Sequence, residues 1–120
     1  MDGIIVDTSS ILFALSNNID IFSAVQEKLD LRPVISRGIV KELEKAAATK
    51  KANARYARVA LSLVDKHRIR TEADPGYADR WILSAAASFS AVCTNDTQLR
   101  MELRKNGINV YAISKSGDFR

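Results

Sequence analysis

At 120 residues, 47% of them apolar, the chain is sized for one domain and is too hydrophobic for a disordered polypeptide. Its single cysteine, Cys93, excludes an internal disulfide and fits a reducing, cytoplasmic setting; with no basic leader after Met1 and no apolar run near the roughly 20 residues that cross a bilayer, neither secretion nor a membrane is expected. The net charge of +4 is too small to identify a polyanionic partner by itself.

Gly3-Ile4-Ile5-Val6 is a short apolar run of buried-strand type that gives way at once to Asp7-Thr8-Ser9-Ser10. Residues 11–15 read as helix with a break at Asn17-Asn18, and Asp20 is placed to cap a second helix through Lys28. Arg32-Pro33-Val34-Ile35 reads as a strand whose proline should begin it or lie at an edge, because proline cannot donate to the ladder. Ser36 can cap a helix running to about Ala48, residues 50–66 read as a basic helix, and Ile69 marks a short strand. Asp74-Pro75-Gly76 reads as a helix start, with Asp as cap and Pro first, and residues 77–89 continue that helix. A strand at 91–94, a helix at 97–106 closed by Gly107, and a last strand at 108–113 complete a domain over 1–113. Residues 114–120 are expected to form a loose polar tail.

Strands alternating with helices imply right-handed βαβ units, hence an α/β fold of three layers, α/β/α, around a central parallel sheet. Ligands of such sheets sit beyond the carboxyl ends of the strands, where the strand order reverses. That rule points to Asp7, which ends the first strand, and to Asp96, two residues beyond Thr94. The strands at 3–6 and 91–94 are therefore expected to be neighbours.

Glu42 and Asp79 fall in the first turns of their helices. Four acids so placed, Asp7, Glu42, Asp79 and Asp96, suit a hard cation such as Mg²⁺ or Mn²⁺, which takes oxygen ligands. No His or Cys cluster accompanies them, so zinc fits poorly. Each acid also has a plain structural use: Asp7 and Asp96 can cap helices, and Asp79 favours the dipole at a helix start. Periodicity does not separate Glu42 from Glu44, which flank the stripe of Ile39, Leu43, Ala46 and Ala47 on opposite sides. Capping alone does not require both Asp7 and Asp96 at the ends of neighbouring strands.

Ile5-Val6-Asp7-Thr8-Ser9, Val40-Lys41-Glu42-Leu43, Tyr77-Ala78-Asp79 and Thr94-Asn95-Asp96 stand in this order, the last followed by Leu99-Arg100 and then by Gly107-Ile108-Asn109-Val110. Through them the sequence resembles PIN-domain ribonucleases over nearly its whole length, most closely the branch that processes ribosomal RNA. The resemblance implies that Asp7, Glu42, Asp79 and Asp96 are catalytic acids holding one or two Mg²⁺ or Mn²⁺ ions. Thr8 and Asn95 are their implied polar neighbours, and Glu42 is selected over Glu44. The implied reaction is endonucleolytic cleavage of single-stranded or looped RNA, leaving 5′-phosphate and 3′-hydroxyl ends. A ribosome precursor, an antitoxin or a second copy in a homodimer are partners compatible with it; a toxin would share the chemistry, and a scaffold would bind RNA without cutting. The ribosomal branch often has a second Asp after the Ala-Asp pair, where this chain has Arg80.

From residue 50 to 70 there are seven Lys/Arg against one acid, Asp65. Lys50, Lys51, Arg55 and Arg58 are either a solvated helix face or phosphate contacts beside the acids, and the same choice holds for Arg100, Arg104 and Lys105. With four acids gathered in one pocket, 18 Lys/Arg face ten acids elsewhere, a balance of +8. His67 reads as a solvated residue, Cys93 as buried core, and Trp81 with Ile82, Ala85 and Phe89 as a core face. A receiver-type signalling domain also carries acids at the strand ends of a parallel sheet. It ranks lower, because no central strand ends in a clear phospho-acceptor Asp.

Overall fold

The computed structural model describes residues 3–74 and 76–120. Its elements run β1 (Gly3–Val6), α1 (Thr8–Ser16), α2 (Ile21–Leu29), β2 (Arg32–Ser36), α3 (Arg37–Ala47), α4 (Ala54–Lys66), β3 (Arg70–Glu72), α5 (Ala78–Ala85), β4 (Ala91–Cys93), α6 (Thr97–Lys105) and β5 (Val110–Tyr111). A short 3₁₀ turn, Ala86–Ser88, follows α5. The strands form one parallel sheet in the order β3-β2-β1-β4-β5.

The central strand explains why its sequence is an unbroken apolar run: Ile4, Ile5 and Val6 have strands on both edges and are wholly buried. Ile4 pairs with Ala91 and Val6 with Cys93, so the two strands expected to be neighbours are neighbours. The chain moves outward from β1 to β3, then returns to the far side of β1 for β4 and β5. Right-handed crossovers then put α1 to α4 on one face and α5 and α6 on the other. The switch point lies at the carboxyl ends of β1 and β4. Among the described residues no helix is long and apolar enough to cross a membrane.

Two caps form as the sequence suggests. The Asp20 carboxylate accepts from the Phe22 and Ser23 N–H groups, and the Ser36 hydroxyl accepts from Ile39 N–H at 3.1 Å. Pro33 lies second in an interior strand, paired with Ile4; β3 opposes β2 only from Val34 onward, so the proline precedes that ladder.

Elsewhere the structure corrects the sequence reading. The basic helix begins at Ala54, not at Lys50, because the Thr49 hydroxyl donates to the Ala46 carbonyl at 2.8 Å and accepts from Lys51 N–H at 3.3 Å, closing α3 in a turn. Asp74 does not cap α5, which begins after Tyr77; its carboxylate instead accepts from Gly38 N–H at 2.9 Å, at the start of α3. Pro75, expected to open that helix, and Met1 and Asp2 lie outside the described residues. The tail is not loose. Ala112 and Arg120 exchange backbone hydrogen bonds, Phe119 meets the Tyr111 ring edge-on, and Lys28 Nζ donates to the Gly117 carbonyl at 2.9 Å. His67 is half-buried rather than solvated: its Nε2 lies 2.7 Å from Asp20 Oδ2 and its ring meets the edge of Phe22.

The Asp74 contact makes Gly38 the one residue its site accepts. A Cβ there would run into the Asp74 carboxylate and lie 3.3 Å from the Ala78 amide nitrogen. Displacing Asp74 gives up a charged hydrogen bond worth about 1.5–3 kcal/mol, against about 1 kcal/mol of improved helix propensity. Gly38→Ala is therefore expected to destabilise the fold by about 1 kcal/mol, read as a lower urea midpoint at an unchanged m-value.

Candidate active site

Four separate elements deliver their acids to one cleft of about 610 Å³ at the carboxyl ends of the strands. Asp7 comes from the end of β1, Glu42 from α3, Asp79 from α5 and Asp96 from the residue before α6; Thr8 and Ser9 line the same cleft. Glu44, which periodicity could not separate from Glu42, is not among its lining residues.

Asp7 is the buried member, 5% exposed. It occupies the position that precedes α1, yet its side chain makes no capping bond. Instead Oδ2 accepts from Ser9 Oγ at 2.9 Å and from Thr94 Oγ1 at 2.8 Å. Burial pushes this carboxyl above its usual range; the bonds from Thr94 and Ser9 oppose the rise, and the charge of Asp79 adds to it. Glu42 is raised as well, by burial first, with the Thr8 bond opposing and the charges of Asp7, Asp79 and Asp74 adding. That bond runs from Thr8 Oγ1 to Glu42 Oε1 at 2.6 Å and fixes the glutamate. Asp96 serves both of the uses its position allowed: Oδ1 caps α6 by accepting from Leu99 N–H at 3.1 Å, and the residue lines the cleft.

Among the described residues, no three His, Cys, Asp or Glu side chains close on a single point as a ready-made metal centre. The four acids offer only oxygen and surround a shared space, a donor set that fits a hard divalent cation retaining part of its water shell. Their mutual repulsion, felt at Asp7 and Glu42, is what such a cation would relieve.

Of the two polar neighbours expected, Thr8 lines the cleft and Asn95 stands behind it, its N–H donated to Ser9 Oγ at 3.1 Å. Asn95 does not line the cleft, because its amide is spent on the frame: Oδ1 accepts from Ser10 Oγ at 2.7 Å and from Ile113 N–H at 3.1 Å, and Nδ2 donates to the Ile113 carbonyl at 3.0 Å. Thr94 and Ser9, which sequence reasoning missed, are the groups that hold Asp7. Lys45 was also missed, although its place three residues after Glu42 puts it on the same side of α3.

Lys51 lines the acid cleft with Lys45. Lys50, Arg55 and Arg58 line an adjoining cleft of about 380 Å³ that shares Thr49 and Lys51 with the first. Two of these cations are partly used already: Arg58 donates to the Ala47 carbonyl at 3.2 Å, and Arg55 lies over the Tyr56 ring and donates to its hydroxyl. Arg100 lines neither cleft. A larger hollow of about 750 Å³ lies at the amino ends of β1, β2 and β3, away from the four acids.

Four carboxylates and two lysines thus line one cleft at the switch point of a parallel α/β sheet, the place where ligands of such sheets bind. The family model that matches the chain is the PIN-like domain, over residues 4–115, and the chain belongs to that family of nucleases. The structure is similar to that of the PIN domain endonuclease Utp24, with 28% identity, a TM-score of 0.75, and coverage of 93% of this chain and 85% of that one. A domain of a functionally unknown protein from Methanocaldococcus jannaschii DSM 2661 shares the fold at 18% identity and a TM-score of 0.65, covering 95% and 92% of the two chains. No curated protein gives a significant match. PIN nucleases act on RNA and generally use divalent metal ions. Membership in this family sets the receiver-type reading aside.

Proposed function

We propose that the cleft is the active site of an endoribonuclease that uses one or two Mg²⁺ or Mn²⁺ ions to cut single-stranded or looped RNA. The observation that carries this reading is the meeting of Asp7, Glu42, Asp79 and Asp96, from four elements, in one cleft of a PIN-like sheet. Asp7, Glu42, Asp79 and Asp96 would hold the divalent ion, which would supply activation of a water and neutralisation of charge on the phosphodiester. The chain's own groups set the geometry. Ser9 and Thr94 fix the buried Asp7 carboxylate, Thr8 orients Glu42, and the Leu99 N–H sets the direction of Asp96. Lys45 and Lys51, in the wall of the same cleft, are placed to meet substrate phosphates. The products carry 5′-phosphate and 3′-hydroxyl ends.

Within this activity the role we favour is ribosomal RNA processing in the cytoplasm, with a ribosome precursor as partner. It is supported by the resemblance of Tyr77-Ala78-Asp79 and of residues 108–113 to that branch. Growth arrest on expression of the chain alone would favour a toxin held by an antitoxin instead.

Cleavage by the purified protein tests the activity. End-labelled structured RNA should be cut with Mg²⁺ or Mn²⁺ and left intact in EDTA. Asp96→Asn keeps a residue able to cap α6 but loses the charge, and it should slow cleavage by about a hundredfold or more. RNA binding with no cleavage in either metal would sink the reading in favour of a non-cutting scaffold.

A further inference from the structure

Tyr77 is 75% exposed. A lone exposed aromatic is ordinary surface, but three features set this one apart. It stands immediately before α5, two residues from Asp79, which lines the acid cleft. The Arg80 guanidinium lies over its ring, 5.6 Å from the centroid, so a cation steadies an aromatic surface that remains open to solvent. Its backbone is anchored: the Tyr77 carbonyl accepts from Trp81 N–H at 3.1 Å and the next residue, Ala78, is buried. A side chain so exposed on so fixed a base is preorganised for a flat ligand.

A flat ring, held by a cation two residues from an acid of the cleft, matches the chemistry of a nucleobase with its phosphate. We propose that Tyr77 is a stacking platform for one base of the bound RNA, with Arg80 holding the ring and meeting the adjoining phosphate. This rests on the reading of the cleft as an RNA site and adds to it a contact outside the acids. Every base has a π-face, so the platform favours unpaired nucleotides without choosing among them.

Binding of a short fluorescein-labelled oligoadenylate to the full chain in EDTA, followed by anisotropy, tests the platform. Tyr77→Ala should weaken binding about tenfold and Tyr77→Phe should restore it. An abasic strand of the same length should bind the parent more weakly, yet bind Tyr77→Ala and the parent alike. The proposal is overturned if Tyr77→Ala binds oligoadenylate like the parent, or loses as much on the abasic strand. Cleavage with Mn²⁺ on the same proteins keeps the two readings apart. A parent that stacks bases and never cuts retains the platform and loses the nuclease. One that cuts while Tyr77→Ala binds normally retains the nuclease and loses the platform. A parent that binds no RNA removes both.

Discussion

Replacing Asp7 with asparagine is expected to slow cleavage by about a hundredfold or more, yet to raise the melting temperature of the metal-free protein at neutral pH. The two effects share one cause. Asp7 is buried, and burial, with the nearby charge of Asp79, lifts its carboxyl above the ordinary value of 3.8 despite the bonds from Thr94 and Ser9. A carboxyl that holds its proton more tightly folded than unfolded contributes stability that is full below the unfolded value and is lost as pH rises through the folded one. Glu42 acts in the same direction from 4.5. The metal-free parent should therefore lose stability as pH rises above about 4, and Asp7→Asn should flatten that loss. Asparagine's carbonyl oxygen can still accept the Thr94 and Ser9 hydroxyls, so those two bonds survive the exchange. Adding Mg²⁺ or Mn²⁺ should reverse the order. A cation at a hundredfold its dissociation constant stabilises the parent by about 2.7 kcal/mol, and the variant, short of one ligand, should gain much less. Thermal melts in EDTA across about pH 4 to 8, repeated with each metal, decide the matter. A metal-free Asp7→Asn that melts below the parent at pH 7 would contradict the charge account; an equal metal-induced rise in both proteins would put the cation elsewhere.

The parts of this molecule that the sequence revealed are those decided by neighbours along the chain. A strand buried on both faces leaves an apolar run, as at Ile4 to Val6, and the caps Asp20 and Ser36 bond amides two or three residues on. The adjacency of β1 and β4 follows from alternation and the switch-point rule, which is why the sequence alone pairs Asp7 with Asp96. The misreadings concern side chains whose partners are remote. Asp74 bonds Gly38 36 residues away, and His67 bonds Asp20 47 away. No periodicity records such contacts. Glu42 and Glu44 are equivalent by helix geometry; the resemblance selects Glu42, and in the fold it is Glu42 that Thr8 bonds. Lys50 and Lys51 read as helical because lysine and alanine favour helix, whereas one threonine hydroxyl closes α3 ahead of them.

That turn changes which cations should matter for RNA. The sequence grouped Lys51 with Arg55 and Arg58 on one helix face; the structure joins Lys51 to Lys45 in the acid cleft, with Lys50 in the cleft beside it. Arg58 already donates to the end of α3 and Arg55 to Tyr56, so their loss would mix packing with charge. Changing Lys45, Lys50 and Lys51 together to alanine is expected to weaken RNA binding equally for all sequences, because backbone phosphates carry no base identity. If each lysine neutralises one phosphate of a single strand, the slope of log affinity against log salt should flatten by about 2 units. The metal-induced rise in melting temperature should stay as in the parent, since ammonium groups are not ligands for a hard cation. All three are exposed, so the variant should fold normally. Titrations of one labelled RNA at several salt concentrations, with the metal melts run in parallel, give both readings. A variant whose slope and affinity match the parent's would show that these lysines only solvate the rim and that the phosphates are met elsewhere.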